Sequence, residues 1–140
     1  MKLRLFAMLV VVGMIACGKT YLHAAAAQNE GVTVQPMQVW IGGHKLWVRV
    51  NVVNEGSEPI VVDRDAVVAR LPDGQAVGRS VGRTSLHGTY FIPPQSSHPV
   101  FVEFEETDFD WDRVGRATID FTPGLRRGTQ PIAMQLPVGL

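Results

Sequence analysis

The sequence predicts an all-β protein: an antiparallel sandwich of about seven to eight strands, set behind a signal peptide and a short tether. Three observations lead there. The chain has 140 residues, 46% of them apolar and 19% charged, which is a globular composition of single-domain size. From Gly31 onward the apolar residues fall in short, Val-rich runs split by Gly, Pro, Asn and Asp. No stretch of comparable length repeats the 3.6-residue spacing of a helix, and there is no internal repeat.

The elements follow in chain order. Met1-Lys2-Leu3-Arg4 supplies two cations, and Leu5 to Ala16 is an uncharged run of 12 residues ending in front of Cys17. Cations, an apolar run and small residues before a break are the three parts of a secretory signal. A helix crossing a bilayer needs roughly 20 apolar residues, so the run is too short to span one. Met14-Ile15-Ala16-Cys17 resembles the lipobox of bacterial lipoproteins. That resemblance implies a lipoprotein signal peptide over residues 1–16 and a lipid on Cys17, which becomes the new N-terminus and a membrane anchor. Gly18 stands where an Asp would signal inner-membrane retention, which favours the outer membrane. A second cleavage site stays open after Ala27, where Ala25-Ala26-Ala27 also carries small residues, well past the end of the apolar run. Residues 17–30 read as the lipidated cysteine and a flexible tether: they have no sustained apolar period, and four alanines are too few for a stable helix. His23 is expected to be solvated there.

Residues 31–140 form the domain. Leu46, Val48, Val50 and Val52 share one face of a strand over residues 45–53, and Lys45, Trp47, Arg49 and Asn51 share the other. Asn54-Glu55-Gly56-Ser57-Glu58-Pro59 has turn chemistry, and Ile60-Val61-Val62 resumes an extended run. Ala66 to Leu71 leads into Pro72-Asp73-Gly74, a hairpin signal, and Gln75 to Val77 starts the return. Gly78 to Gly88 reads as a loop or weak edge strand. Pro93-Pro94-Gln95-Ser96-Ser97 breaks the chain again before His98 to Glu105, with Val100, Val102 and Phe104 on one face. Ala117, Ile119 and Phe121 mark a further strand, bounded by Pro123-Gly124, and Ile132, Met134 and Leu136 mark the last.

Seven or eight strands in this length is the size of an immunoglobulin-like sandwich. The series NVVNEGSEPIVV, then LPDG, then IPPQSSHPVFVEF is similar to the small Ig-like domains of bacterial envelope lipoproteins. The resemblance implies no catalytic residues and no disulfide, since the one cysteine is taken by the anchor.

The balance of 13 basic and 13 acidic groups gives no reason to expect nucleic-acid binding. Removing residues 1–16 takes Lys2 and Arg4 away and leaves 11 basic against 13 acidic groups, a net charge of −2. The acids crowd between Glu103 and Asp112. There Asp108, Asp110 and Asp112 are spaced as at the start of a calcium loop, and they are the candidate metal ligands. Counted from Asp108, however, Arg113 takes the position that needs Gly and Ile119 the one that needs a bidentate Glu, so the loop is not an EF-hand. The plain alternative is a solvated acidic loop balanced by Arg113 and Arg116. Trp111 is open to two readings, a partner contact or a plug at the end of the core. Trp47 and Phe101 both fall opposite the apolar rows of their strands: as solvent-facing neighbours they would form an aromatic partner-binding patch, and the alternative is a sheet covered on both faces by loops or by the tether. His44, His87, His98, Met37 and Met134 match no copper-ligand pattern. Ser85 and His87, or Ser97 and His98, lack the G-x-S-x-G elbow, and no cofactor motif is present. The expectation is a non-enzymatic, lipid-anchored envelope protein, facing the periplasm or the outer surface, that contacts the membrane through Cys17 and an envelope protein through its patch. The alternative is calcium or small-ligand binding through residues 103–112.

Overall fold

The structure is a computed structural model that describes residues 18–78, 88–106 and 110–140. Residues 1–17, where the signal peptide and lipidated Cys17 are expected, residues 79–87 with Ser85 and His87, and Asp108 lie outside the described residues.

The first layer is built on a hairpin. Strands β3 (Val32–Gly42) and β4 (Lys45–Asn54) pair antiparallel through the two-residue turn Gly43-His44. Gly43 sits at φ +60°, the left-handed conformation that the first central position of such a turn demands. Strand β9 (Ser96–Glu105) pairs along the whole free side of β4. The alternation in β4 works as the sequence predicts. Leu46, Val48, Val50 and Val52 are buried, as are Val100, Val102 and Phe104 facing the same core from β9.

Two short strands cover the other side of β3. β1 (Thr20–Tyr21) and β2 (Ala27–Asn29) both pair with it. Between them His23 and Gly139 exchange backbone hydrogen bonds of 2.6 and 3.0 Å, and Leu22 donates to Val39 at 2.8 Å and buries its side chain. Asn29 adds a side-chain bond to the Ala133 carbonyl. The segment expected to be a flexible tether is therefore part of the sandwich from Thr20 onward, and it joins the two layers at their edge. Its polar composition hid this, because the gain is in backbone pairing rather than in an apolar stripe. The expected boundary at residue 31 falls inside a hairpin turn, Glu30-Gly31, with φ +49° and +75°.

The second layer consists of β5 (Ile60–Asp63), β6 (Val68–Arg70), β7 (Ala76–Gly78), β8 (Thr89–Ile92), β10 (Arg116–Asp120), β11 (Leu125–Arg127), β12 (Gln130–Pro131) and β13 (Gln135–Gly139). They form two ladders of the same order, β13-β10-β6-β7 and β12-β11-β5-β8. The chain steps from one ladder to the other through single 3-10 turns at Arg64–Ala66 and Thr122–Gly124, which pack on each other. Gly124 is needed there: a Cβ would come within 2.2 Å of the Asp63 carbonyl oxygen. With the short edge strands β1 and β2 set aside, the described strands fall into seven positions in chain order: β3, β4, β5/β6, β7/β8, β9, β10/β11 and β12/β13. The first, second and fifth make one layer; the seventh, sixth, third and fourth make the other. This is an Ig-like sandwich whose fourth strand lies beside the third rather than on the opposite sheet, where a constant-type immunoglobulin domain has it. One apolar cluster, with residues from both layers, fills the space between.

The two ends are closed differently. At the far end, buried Asn54 donates Nδ2 to the carbonyls of Glu58, Ile92 and Pro93, while its Oδ1 accepts from Gly56 N and Arg127 Nη2. At the β3–β4 turn end, a single helical turn α1 (Trp111–Val114) is capped by Asp110 and stopped by Gly115 at φ +64°. Trp111 plugs this end of the core, 1% exposed, with Nε1 donating to the His44 carbonyl at 3.0 Å.

Candidate functional site

The outer face of the first layer carries the distinctive side chains. The Gly43-His44 turn fixes the register so that Trp40 on β3 lies directly opposite Trp47 on β4. Their rings stack at 3.5 Å between centroids and 18° between planes. Lys19 reaches over the Trp40 ring at 4.6 Å, and Lys45 over Trp47 at 5.6 Å, both at cation–π distance. The next outward row is Gln38, Arg49 and Phe101, again in direct register. Trp47 and Phe101 are thus diagonal neighbours on adjacent strands of one face. Neither is fully exposed, since Trp40 and Lys45 cover Trp47 and both residues are half-buried. The patch is a packed ladder rather than two free rings.

Beyond Phe101 the face opens into a depression of about 360 Å³ lined by Gln38, Arg49, Tyr90, His98, Pro99 and Phe101. The His98 ring lies 4.1 Å from the Tyr90 ring, and the Arg64 guanidinium lies 4.6 Å from it. His98 Nδ1 is 2.6 Å from the Pro99 carbonyl oxygen. That carbonyl only accepts, so Nδ1 carries the proton and donates. A neutral ring then presents Nε2 as an acceptor. Arg49 is exposed and makes no ion pair among the described residues. Together these place flat rings, the Arg49 and Arg64 guanidinium groups and a mixed set of donors and acceptors around Tyr90 and the depression beside it.

The acidic run does different work from that expected. Glu103 is on the outer face of β9 but 1% exposed, and its Oε1 is 3.4 Å from Lys45 Nζ. Glu105 approaches the same ammonium at 3.8 Å. Asp110 Oδ1 accepts from Asp112 N, and Asp112 Oδ2 accepts from Gly43 N, each at 3.0 Å. The described members of the run hold a strand face, a helical turn and the β3–β4 hairpin together, while Asp108 lies outside the described residues. Among the described residues no three His, Cys, Asp or Glu side chains converge to hold a metal ion. Trp111 belongs to the core and is removed from the partner-binding set, because burial and the bond to His44 leave no ring surface to offer. Trp40 is the residue that sequence reading missed. The signal was present, since a two-residue Gly-His turn sets residues 40 and 47 opposite each other.

The fold and this face define a small Ig-like β-sandwich with an aromatic outer sheet. No protein-family model and no curated protein matches the chain. Among solved structures, the crystal structure of the yjhA protein from Bacillus subtilis is similar, with a TM-score of 0.53 at 12% identity, over 70% of this chain and 77% of that one. At that identity the likeness shows the shared all-β fold and nothing further. The X-ray structure of the structural-genomics target SoR45 aligns over 86% of this chain and 84% of that one, at 11% identity and a TM-score of 0.41.

Proposed function

We propose that the chain is a lipid-anchored protein of the bacterial cell envelope that works by binding a protein partner and not by catalysis. The observation that carries the binding reading is the row Gln38, Arg49 and Phe101, which runs from the stacked tryptophans into the cleft beside Tyr90 and His98. Aromatic and Arg side chains on a rigid sheet dominate binding energy at interfaces because little entropy is lost when they are covered. The lipobox-like Met14-Ile15-Ala16-Cys17 supports the anchor, and Gly18 supports the outer membrane, with the domain facing the periplasm or the exterior.

The test is capture from detergent-solubilised membranes with wild type and an Arg49→Ala/Phe101→Ala double variant. Wild type is expected to hold a stoichiometric partner, and the variant to bind it at least about 30-fold more weakly, the equivalent of a 2 kcal/mol hot spot. A variant with wild-type circular dichroism that retains the partner at full affinity would rule out this face. Cys17→Ser is expected to abolish lipid labelling and release the protein from membranes. If the serine form stays membrane-bound, the anchor is wrong.

A further inference from the structure

We infer that no spacer separates the anchor from the fold, so that the bilayer itself is a partner of the β3–β4 turn end, contacted by the Trp40–Trp47 pair and Lys19. The inference rests on the proposed lipidation of Cys17 and adds an orientation to it. Gly18 already lies against the hairpin: a Cβ on Gly42 would come within 2.9 Å of the Gly18 carbonyl oxygen. Lys19 is stacked on Trp40, and Thr20 pairs with Ile41. One residue of chain reaches at most ~3.6 Å. A lipid on residue 17 therefore brings the headgroup layer to Gly18, at the level of Gly42 and the two indoles.

The chemistry of this end suits that layer. Indole rings favour the headgroup region, where the ring is half desolvated and its N–H still finds acceptors. A lysine lying along a ring keeps its stem on apolar surface and its ammonium in water. Tyr21, exposed on the adjoining strand, adds a third aromatic ring. Attraction to anionic lipid is not the basis of the contact. Glu103 and Glu105 already flank Lys45, and Glu106 and Asp112 lie at the same end. The occupant that fits is a zwitterionic headgroup surface. At ~3.4 Å per residue the ten residues of β4 span roughly 34 Å, so Asn54 and Phe91 stand that far from the bilayer. The row Arg49–Phe101 is then left at mid-height for the protein partner.

The experiment uses the full lipidated protein in phosphatidylcholine vesicles with brominated acyl chains, against unbrominated ones. Wild-type tryptophan emission is expected to fall by about half or more, as for indoles at a membrane interface. A Trp40→Phe/Trp47→Phe variant retains only core-buried Trp111 and is expected to lose most of that quenching. Adding Phe91→Trp to this variant places a reporter at the far end, and its emission is expected to be unchanged by bromine. Intact mass is measured first, and an unmodified Cys17 overturns the anchor and the orientation together. A lipidated protein whose wild-type emission is unquenched, or whose far-end reporter is quenched as strongly as the pair, overturns the orientation alone.

Discussion

Asn54 ties several separate segments of the chain together. Its amide serves the β4–β5 loop, the β8–β9 turn and Arg127, and Arg127 Nη1 in turn donates to the Glu30 carbonyl. Removing it takes the donor from the buried Ile92 carbonyl, at about 1–3 kcal/mol, and from the part-buried Glu58 and Pro93 carbonyls at less each. Asn54→Ala is expected to lose about 3 kcal/mol in urea titration, against about 0.5 kcal/mol or less for Asn51→Ala on the outer face. Gly124 is a steric counterpart. A methyl group there meets the Asp63 carbonyl, which is backbone and cannot swing aside. Gly124→Ala should cost roughly 1–3 kcal/mol, seen as a lower thermal midpoint with no change of fold by circular dichroism.

At the scale of elements, α1 exists to seat Trp111. Its four residues have no helical stability of their own and depend on Asp110, Gly115 and the buried indole. Trp111→Ala is expected to cost about 3–5 kcal/mol by chemical denaturation. Trp111→Phe, which fills most of the space but loses the bond to His44, should cost less than half of that. Strand β4 was legible because its alternation is uninterrupted. Its partner β3 was not: Val32 and Val34 face the core on even positions, Val39 and Ile41 on odd ones. The parity changes because the register slips between Pro36 and Gln38, leaving Met37 bulged outward and exposed. A bulge erases the period-two signal along β3, so Trp40 was legible only through its place opposite Trp47 across the Gly43-His44 turn. Glu103 was misread for the converse reason. Its own alternation placed it correctly on the outer face, but its burial depends on Lys45, which only long-range strand pairing brings near.

At the scale of the molecule, the N-terminal segment decides how the sandwich behaves in solution. β1 and β2 occupy the β3 edge, which would otherwise offer a row of unpaired N–H and C=O groups. A chain beginning at Gly31 is expected to lose about 2–4 kcal/mol, from Leu22 burial and the edge bonds. It should also self-associate, which light scattering across a concentration series would detect; a monomer of unchanged stability would contradict the role given to this segment. The same attachment has a mechanical meaning. β1 runs antiparallel to β3, with Gly18 at the hairpin end, so a pull on residue 18 away from the domain acts along the strand axis. Such a load shears the bonds of Thr20, Tyr21, Leu22 and His23 together instead of peeling them one by one. A protein held at one end and tugged by a partner at its side would resist force best in that direction.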